Sequence, residues 1–523
     1  KFQIFQRTIL DFNGTAMILG MKTMKYIATA LMLLSMTSCE LERLDYTEIS
    51  PENFFKTETD LKLAVNSLYY DFNPGDFKAV YSADYMGYQV IGDMTTDVLW
   101  CCWAWESDEL YFQQWYATVG GSIQNHAYSN FERYNFLSKA RNTIRRIENS
   151  PVSEDAKTLY SGEAKALRGW MGLYLYDMFG PVPVASDEVL DDPQTFVYLP
   201  RLTEEEYDAM METDLRDAIR DLPEVAEARG RMTKGAARMI LLKYYMIKGY
   251  FDKAETLARE LLEMEGRVYS LQPDYNYIFS KEGIGNNEVI LQLACNSTAS
   301  WYSNYMTAEV LPADYPWAEK ATGWGGYVMP WDFYGTFEEG DLRLKNVVTA
   351  YTNKNGEKID RSNSAQLAKG ALPLKYGMDP DMKDGQSGID VVIYRYADVL
   401  LTLAECINRN EGSPTTEAVG LVNRVRKRAG LPELEDAQTA SGEAFNEAIL
   451  LERGHEFYLE GLRRQDLIRF GKYVEYANNR INAINSSEGR GYFNVHEGHN
   501  RFWIPQSFID ESKGAIKQND YDR

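Results

Sequence analysis

Histidine is scarce in this sequence, with four in 523 residues, which leaves little material for imidazole-based metal binding or proton transfer. Cysteine is also sparse, and none of the five falls in a Cys-x-x-Cys spacing. Cys101 and Cys102 are adjacent, a poor geometry for sharing one metal. A zinc ribbon and a disulfide-dense scaffold are therefore excluded, while a single bridge in an oxidising compartment stays open. Basic residues are outnumbered 55 to 77, for a formal net charge of −22. The basic footprint that nucleic-acid phosphates demand is missing. There is no Gly-rich phosphate loop and no nucleophile motif.

Aromatic residues are abundant: 36 Tyr and 10 Trp, within a hydrophobic fraction of 45% that suffices for a large core. The aromatics crowd into two stretches. The first runs from Asp97 through Trp100, Trp103 and Trp105 to Trp115. The second holds Trp301, Tyr302, Tyr305, Trp317, Trp324, Tyr327 and Trp331. Aromatic faces stack on the C–H faces of sugar rings and supply apolar contact at small entropic cost. Asp97, Trp100, Trp103, Trp301, Tyr302, Trp317 and Trp324 are the candidate ligand-binding residues. The competing reading is that many of these rings are core, since Trp is buried on average.

Residues 1–20 read as an upstream segment foreign to the mature protein. Residues 21–38 read as a secretory signal, with Lys22 and Lys25 ahead of a short apolar run from Ile27 to Met36 and small residues before Cys39. That run is too short to span a bilayer. Cys39 is the expected lipidation site, with the lipid as anchor and the rest of the chain in water.

From there helical periodicity dominates. Leu61, Ala64, Val65 and Leu68 form one apolar face behind Thr59-Asp60. Residues 128–150 and 154–179 are two further helices, the second stopped by Gly180-Pro181. Thr203 to Glu206 makes a capping box for a helix to Asp221. Lys234 to Glu265 has the spacing of a tetratricopeptide unit, with Tyr245, Gly249, Phe251, Ala254, Ala258 and Leu261. Residues 270–390 lose the helical period. Glu288 to Leu293 reads as a strand, and Val347–Tyr351 with Asn355-Gly356 as a hairpin. Loops on a rigid scaffold are where binding usually resides, which favours this insert as the ligand site. Tyr394 to Leu431 then forms an antiparallel helix pair broken at Gly412-Ser-Pro414, and one long helix is expected from Glu443 to Tyr473.

The pair's residues Arg395-Tyr396-Ala397-Asp398-Val399-Leu400-Leu401, Ala404-Glu405, Asn423, Arg426, Arg428, Ala429 and Gly430 resemble the C-terminal core of the SusD/RagB family. Similar phrases recur in order: Pro51-Glu52-Asn53-Phe54-Phe55, the helix ending at Gly180, the Leu451–Arg469 stretch, Ile504-Pro505-Gln506 and Gln518 to Tyr521. The resemblance implies a mostly α-helical tetratricopeptide-like scaffold with a loop-rich insert containing short strands. It divides the chain into N-terminal (39–265) and C-terminal (266–523) halves of one compact unit. It also implies an outer-membrane lipoprotein facing the cell exterior, which binds a glycan and passes it to a SusC-like TonB-dependent transporter. No catalysis is implied, and no nucleic-acid partner.

Other chemistry is weighed beside this. Glu452 and Glu456, one turn apart, have the spacing of a glycoside-hydrolase pair. A structural ion network with Arg453, Arg463, Asp466 and Arg469 is the simpler reading. His496 and His499 lack further ligands for a metal. Asp379-Pro-Asp381-Met-Lys-Asp384-Gly385 departs from the EF-hand spacing, so a polar turn is favoured and no cofactor is expected, with calcium left open. A peptide- or glycoprotein-binding member of the same family is the nearest alternative.

Overall fold

A computed structural model describes residues 54–75, 80–81, 87–103, 130–192, 194, 196–316 and 323–520. The expected upstream segment, signal and Cys39 lie outside the described residues. Residues 55–523 form one compact unit.

The long helices, numbered in chain order, are α1 Glu58–Tyr69, α2 Tyr88–Met94, α3 Asn135–Glu148, α4 Glu154–Phe179, α5 Glu204–Asp221 and α6 Lys234–Lys248. They continue with α7 Phe251–Leu262, α8 Tyr396–Glu411, α9 Thr416–Arg428, α10 Gly442–Phe457, α11 Arg463–Arg469 and α12 Tyr473–Glu488. Successive helices pack on one another from α3 to α7, α7 lies on α8, and α8 lies between α7 and α9. This is a stack of helix pairs in which each unit buries the face its neighbour exposes.

The sequence explains the elements locally. Thr57 caps α1 in a box with Asp60, two residues earlier than the Thr59 start expected, and the buried face is Leu61, Ala64, Val65 and Leu68. Thr203 and Glu206 cap α5 as a box. Helix α4 is buried on nearly every side in its second half and ends where Gly180 takes φ +76. On α7, Ala254 and Ala258 are fully buried, which lets α6 approach. Tyr245 fills the interface, and its hydroxyl donates to Glu212 and accepts from Arg216 of α5.

The described strands lie mostly in the insert: β1 Trp100–Cys101 before it, β2 Val289–Leu293, β3 Tyr327–Pro330, β4 Val347–Val348, β5 Tyr351–Thr352, β6 Lys358–Ile359 and β7 Gly370–Pro373 within it, and β8 Val391–Arg395 just after it. The order is β1-β3-β7-β4 in one antiparallel sheet, with β2 paired to β8 and β5 to β6. The expected hairpin is thus β5–β6, turning at Gly356 (φ +85), while Val347 and Val348 leave it to pair with Pro373 and Leu372.

The single helix expected from Glu443 to Tyr473 is two, α10 and α11, and α12 begins where it was expected to end. It breaks after Phe457, where Leu459 (φ +61) and Gly461 (φ +77) reverse the chain. The reason is a tertiary contact. A Cβ on Gly461 would stand 2.2 Å from Gln89 Cα, and one on Gly92 would stand 2.1 Å from Gly461 O, so α2 and this turn meet backbone to backbone. Asp93 fastens the turn by accepting from the Gly461 and Arg463 N–H groups.

Behind the turn lies a buried ion network. Arg395, at the end of β8, donates to Glu288, Glu456 and Glu460. Arg428 bridges Glu288 and Glu456, and Arg343 reaches Asp341, Glu452 and Glu456. A second chain runs Lys243–Asp398–Arg453–Asp466–Arg469–Glu405 and ties α6, α8, α10 and α11 together. Charges taken out of water need partners, and every carboxylate named here has at least one cation.

Candidate functional site

Two aromatic groups of different character come from the predicted residues. The first is rooted in the sheet. Trp100 pairs with Val328, and Cys102 N–H donates to Gly326 O at 2.6 Å. Trp103 is thereby laid against Gly326, where a Cβ would come 2.6 Å from its ring. Its indole N–H donates to Trp324 O at 3.2 Å. Trp324 stacks on Tyr305, centroids 5.6 Å apart and planes 17° apart. Trp103, Tyr305 and Trp324 therefore form one half-buried to buried aromatic layer.

The second group is exposed. Trp301 and Tyr302 occupy a single 3₁₀ turn, Ser300–Tyr302, and keep 55% and 46% of their surface in water. Their backbone is well held. Asn296 N–H donates to Tyr302 O at 2.6 Å, Ser303 Oγ donates to Asn296 O and Ala299 O, and Gly75 N–H donates to Trp301 O at 3.1 Å. Only a glycine fits at 75, since a Cβ would lie 2.0 Å from Ser300 O. Tyr305 links the two groups by donating its hydroxyl to Ser300 O at 3.4 Å. Two large rings are thus fixed in water on rigid backbone, an arrangement that costs little entropy when a flat apolar face docks.

Tyr302 is also one wall of a groove of about 700 Å³. The other walls are the end of α1 with Tyr69 and Tyr70, the Arg229–Arg231 segment, and Leu293-Ala294 after β2. Tyr70 is 51% exposed. Arg231 is committed: it donates to Glu163 and Asn66 and lies over the Tyr69 ring. Tyr69 in turn donates to Glu163 at 2.6 Å.

The remaining predicted residues sit elsewhere. Asp97 accepts from both Nε and Nη2 of Arg463 at 2.9 Å, a fork-to-fork pair that ties the segment leading into β1 to α11. Trp100 lies under the Arg480 guanidinium at 4.0 Å and the Lys369 ammonium at 4.5 Å, so cations occupy the ring's surroundings. Trp317 lies outside the described residues. Tyr70 and Arg229 were not among the expected residues. Tyr70 carried a readable signal, since it falls off the Leu61–Leu68 stripe just past the end of its helix. Arg229 carried none, because its place depends on contacts remote in sequence.

The alternative chemistries are placed as follows. Glu452 and Glu456 belong to the buried network, and Arg428, Arg395 and Arg343 hold the Glu456 carboxyl well below the usual range despite complete burial. Asp379 is spent on the Asp381 and Gly388 N–H groups and on Lys281. His496 accepts from Gly498 N–H and packs edge-on against His499. Among the described residues no group of three or more His, Cys, Asp or Glu is placed to hold a metal, and Cys101, Cys102, Cys295 and Cys406 are free thiols.

Comparison with known proteins gives a consistent picture. The model of the SusD family matches residues 275–521. A SusD-like protein of Bacteroides ovatus is 26% identical over 394 residues, covering 70% of this chain and 68% of that protein. The starch-binding protein SusD of Bacteroides thetaiotaomicron is 23% identical over 502 residues, 80% of this chain and 83% of that one. Among solved structures, surface glycan-binding protein A of Bacteroides thetaiotaomicron, in complex with laminarihexaose, superposes with a TM-score of 0.69 at 21% identity, over 89% of this chain and all of that one. A SusD homologue of the same species gives 0.72 at 22% identity, over 90% and 99%.

Proposed function

We propose that this chain is a SusD/RagB-family cell-surface glycan-binding protein, not an enzyme, whose platform is Trp301 and Tyr302 with the groove beside them. The observation that carries the reading is the pair of adjacent rings, each about half exposed, on a backbone fixed by Asn296, Ser303 and Gly75. Exposed aromatic surface costs solvation free energy unless it is used, and sugar C–H faces are its natural complement. Tyr305 ties the platform to the half-buried Trp103 and Trp324, whose exposed parts extend the surface for a longer chain of sugars. Relatives bearing the names starch-binding and glycan-binding support the ligand class.

In the same reading Cys39 carries the lipid that tethers the protein to the outer membrane, facing outward. Ligand held at the platform is passed to a TonB-dependent transporter. The test of the ligand class is titration of the purified protein with neutral and charged oligosaccharides and with peptides. Saccharide binding lost in Trp301→Ala and Tyr302→Ala supports the proposal. Peptide binding alone would move the protein to the family's peptide-binding members.

A further inference from the structure

The groove beside Tyr302 has an unusual charge lining for so acidic a protein. Its only charged lining residues are Arg229 and Arg231, and no carboxylate faces it among the described residues, whereas the whole chain carries a net charge of −22. The two arginines are not equivalent. Arg231 spends its fork on Glu163 and Asn66 and is largely enclosed. Arg229 keeps 43% of its side chain in water. It donates through Nη2 to Cys295 O at 3.1 Å, and its one carboxylate neighbour, Asp390, is 3.5 Å away. The rest of its donor fork has no acceptor among the described residues.

Asp390 is buried and is not part of the groove's lining. Its Oδ1 accepts from Cys295 N–H at 2.8 Å, and burial pushes its carboxyl up to about 6.

Position matters as much as charge. Cys295 O anchors the Arg229 fork, and the next residue, Asn296, anchors Tyr302 through its N–H. One dipeptide thus fixes both a half-exposed ring and a guanidinium on the same groove. A planar fork with open donors pairs best with carboxylate or sulfate oxygens.

We propose that Arg229 makes this groove selective for glycans that carry an anionic substituent, the carboxylate of a uronic acid or a sulfate ester, on a sugar stacked at Tyr302. The proposal rests on the glycan-binding reading above and narrows its substrate class.

The experiment is calorimetric titration of the purified protein with three ligand sets: neutral glucan and xylan oligosaccharides, uronate oligosaccharides, and sulfated oligosaccharides. The wild type is compared with Arg229→Gln, Arg229→Lys and Tyr302→Ala. One charged set is expected to bind more tightly than the neutral set, and which one it is names the substituent. Its affinity falls with added salt and drops about tenfold or more in Arg229→Gln. Arg229→Lys, which keeps the charge and loses the fork, recovers part of it, and Tyr302→Ala weakens every saccharide that binds. Neutral saccharides binding as tightly as charged ones overturns the selectivity and leaves the glycan-binding reading intact. So does an Arg229→Gln variant that binds charged saccharides as the wild type does, or loses neutral and charged binding equally. Binding of no saccharide from any set overturns the glycan-binding reading and this proposal with it.

Discussion

Glu452 and Glu456 share one guanidinium: Arg343 Nη1 lies 2.6 Å from Glu452 Oε1 and 3.2 Å from Glu456 Oε2. Both carboxylates are buried, and Glu456 has Arg395 and Arg428 as well. A glycosidase acid must hold its proton near neutral pH, which requires a raised pKa. Three cations do the opposite to Glu456. The pair holds the C-terminal half of the scaffold together.

Glu456→Gln is therefore expected to cost about 3–5 kcal/mol, the range for removing one partner of a buried ion pair. Denaturant unfolding measures it. The folded pKa is depressed, so this contribution is complete above the ordinary glutamate range and is lost as pH falls through and below about 4. The gap between wild type and variant should narrow in acid. A variant as stable as wild type at neutral pH would show that the network is dispensable.

Asp93 behaves in the opposite sense. Burial pushes its carboxyl up to about 7, against the help of the Gly461 and Arg463 N–H groups. The folded state then holds the proton more tightly than the unfolded chain. Its favourable contribution is complete below the unfolded value, near 3.9, and is lost as pH rises through about 7. Asp93→Asn cannot ionise, so the wild type is expected to lose stability relative to this variant between about pH 4 and 8. Parallel pH profiles would contradict the assignment.

Gly461→Ala is expected to be among the most damaging small substitutions. It places a methyl 2.2 Å from Gln89 Cα at φ +77. Strain and clash together predict a loss above about 3 kcal/mol, with the damage centred on the contact between α2 and the turn. A melting temperature unchanged from wild type would mean that the turn shifts freely.

Trp100 separates structure from binding. With Arg480 and Lys369 against its ring, Trp100→Ala should lower stability by about 2–4 kcal/mol and leave saccharide affinity within about twofold. Thermal melts and titrations of the same sample decide it. Unchanged stability with lost affinity would return Trp100 to the platform.

These residues also show what a sequence reveals. The boundaries of α4 and α5 and the apolar stripe of α1 were legible because they are local: caps, stops and a 3.6-residue period. The break at Leu459–Gly461 was not, because apolar spacing continues across it and its cause is the backbone of Gly92, far away in the chain. The aromatic crowd marked the stretch that holds the exposed Trp301 and Tyr302 rings. It did not say which rings face water. Trp301 does and Trp103 only partly, and that difference depends on Gly75, Gly326 and Trp324. Asp97 reads as a ligand-binding carboxylate until Arg463 is found beside it.

The measurement that tests the central claim most directly is affinity electrophoresis of the purified protein through gels containing polysaccharides, comparing wild type with the Trp301→Ala, Tyr302→Ala double variant. The account predicts that at least one polysaccharide retards the wild type, and that the variant, equally folded by circular dichroism, migrates as it does in an empty gel. Equal retardation of both proteins would contradict it, because the exposed rings would then have no part in holding the glycan.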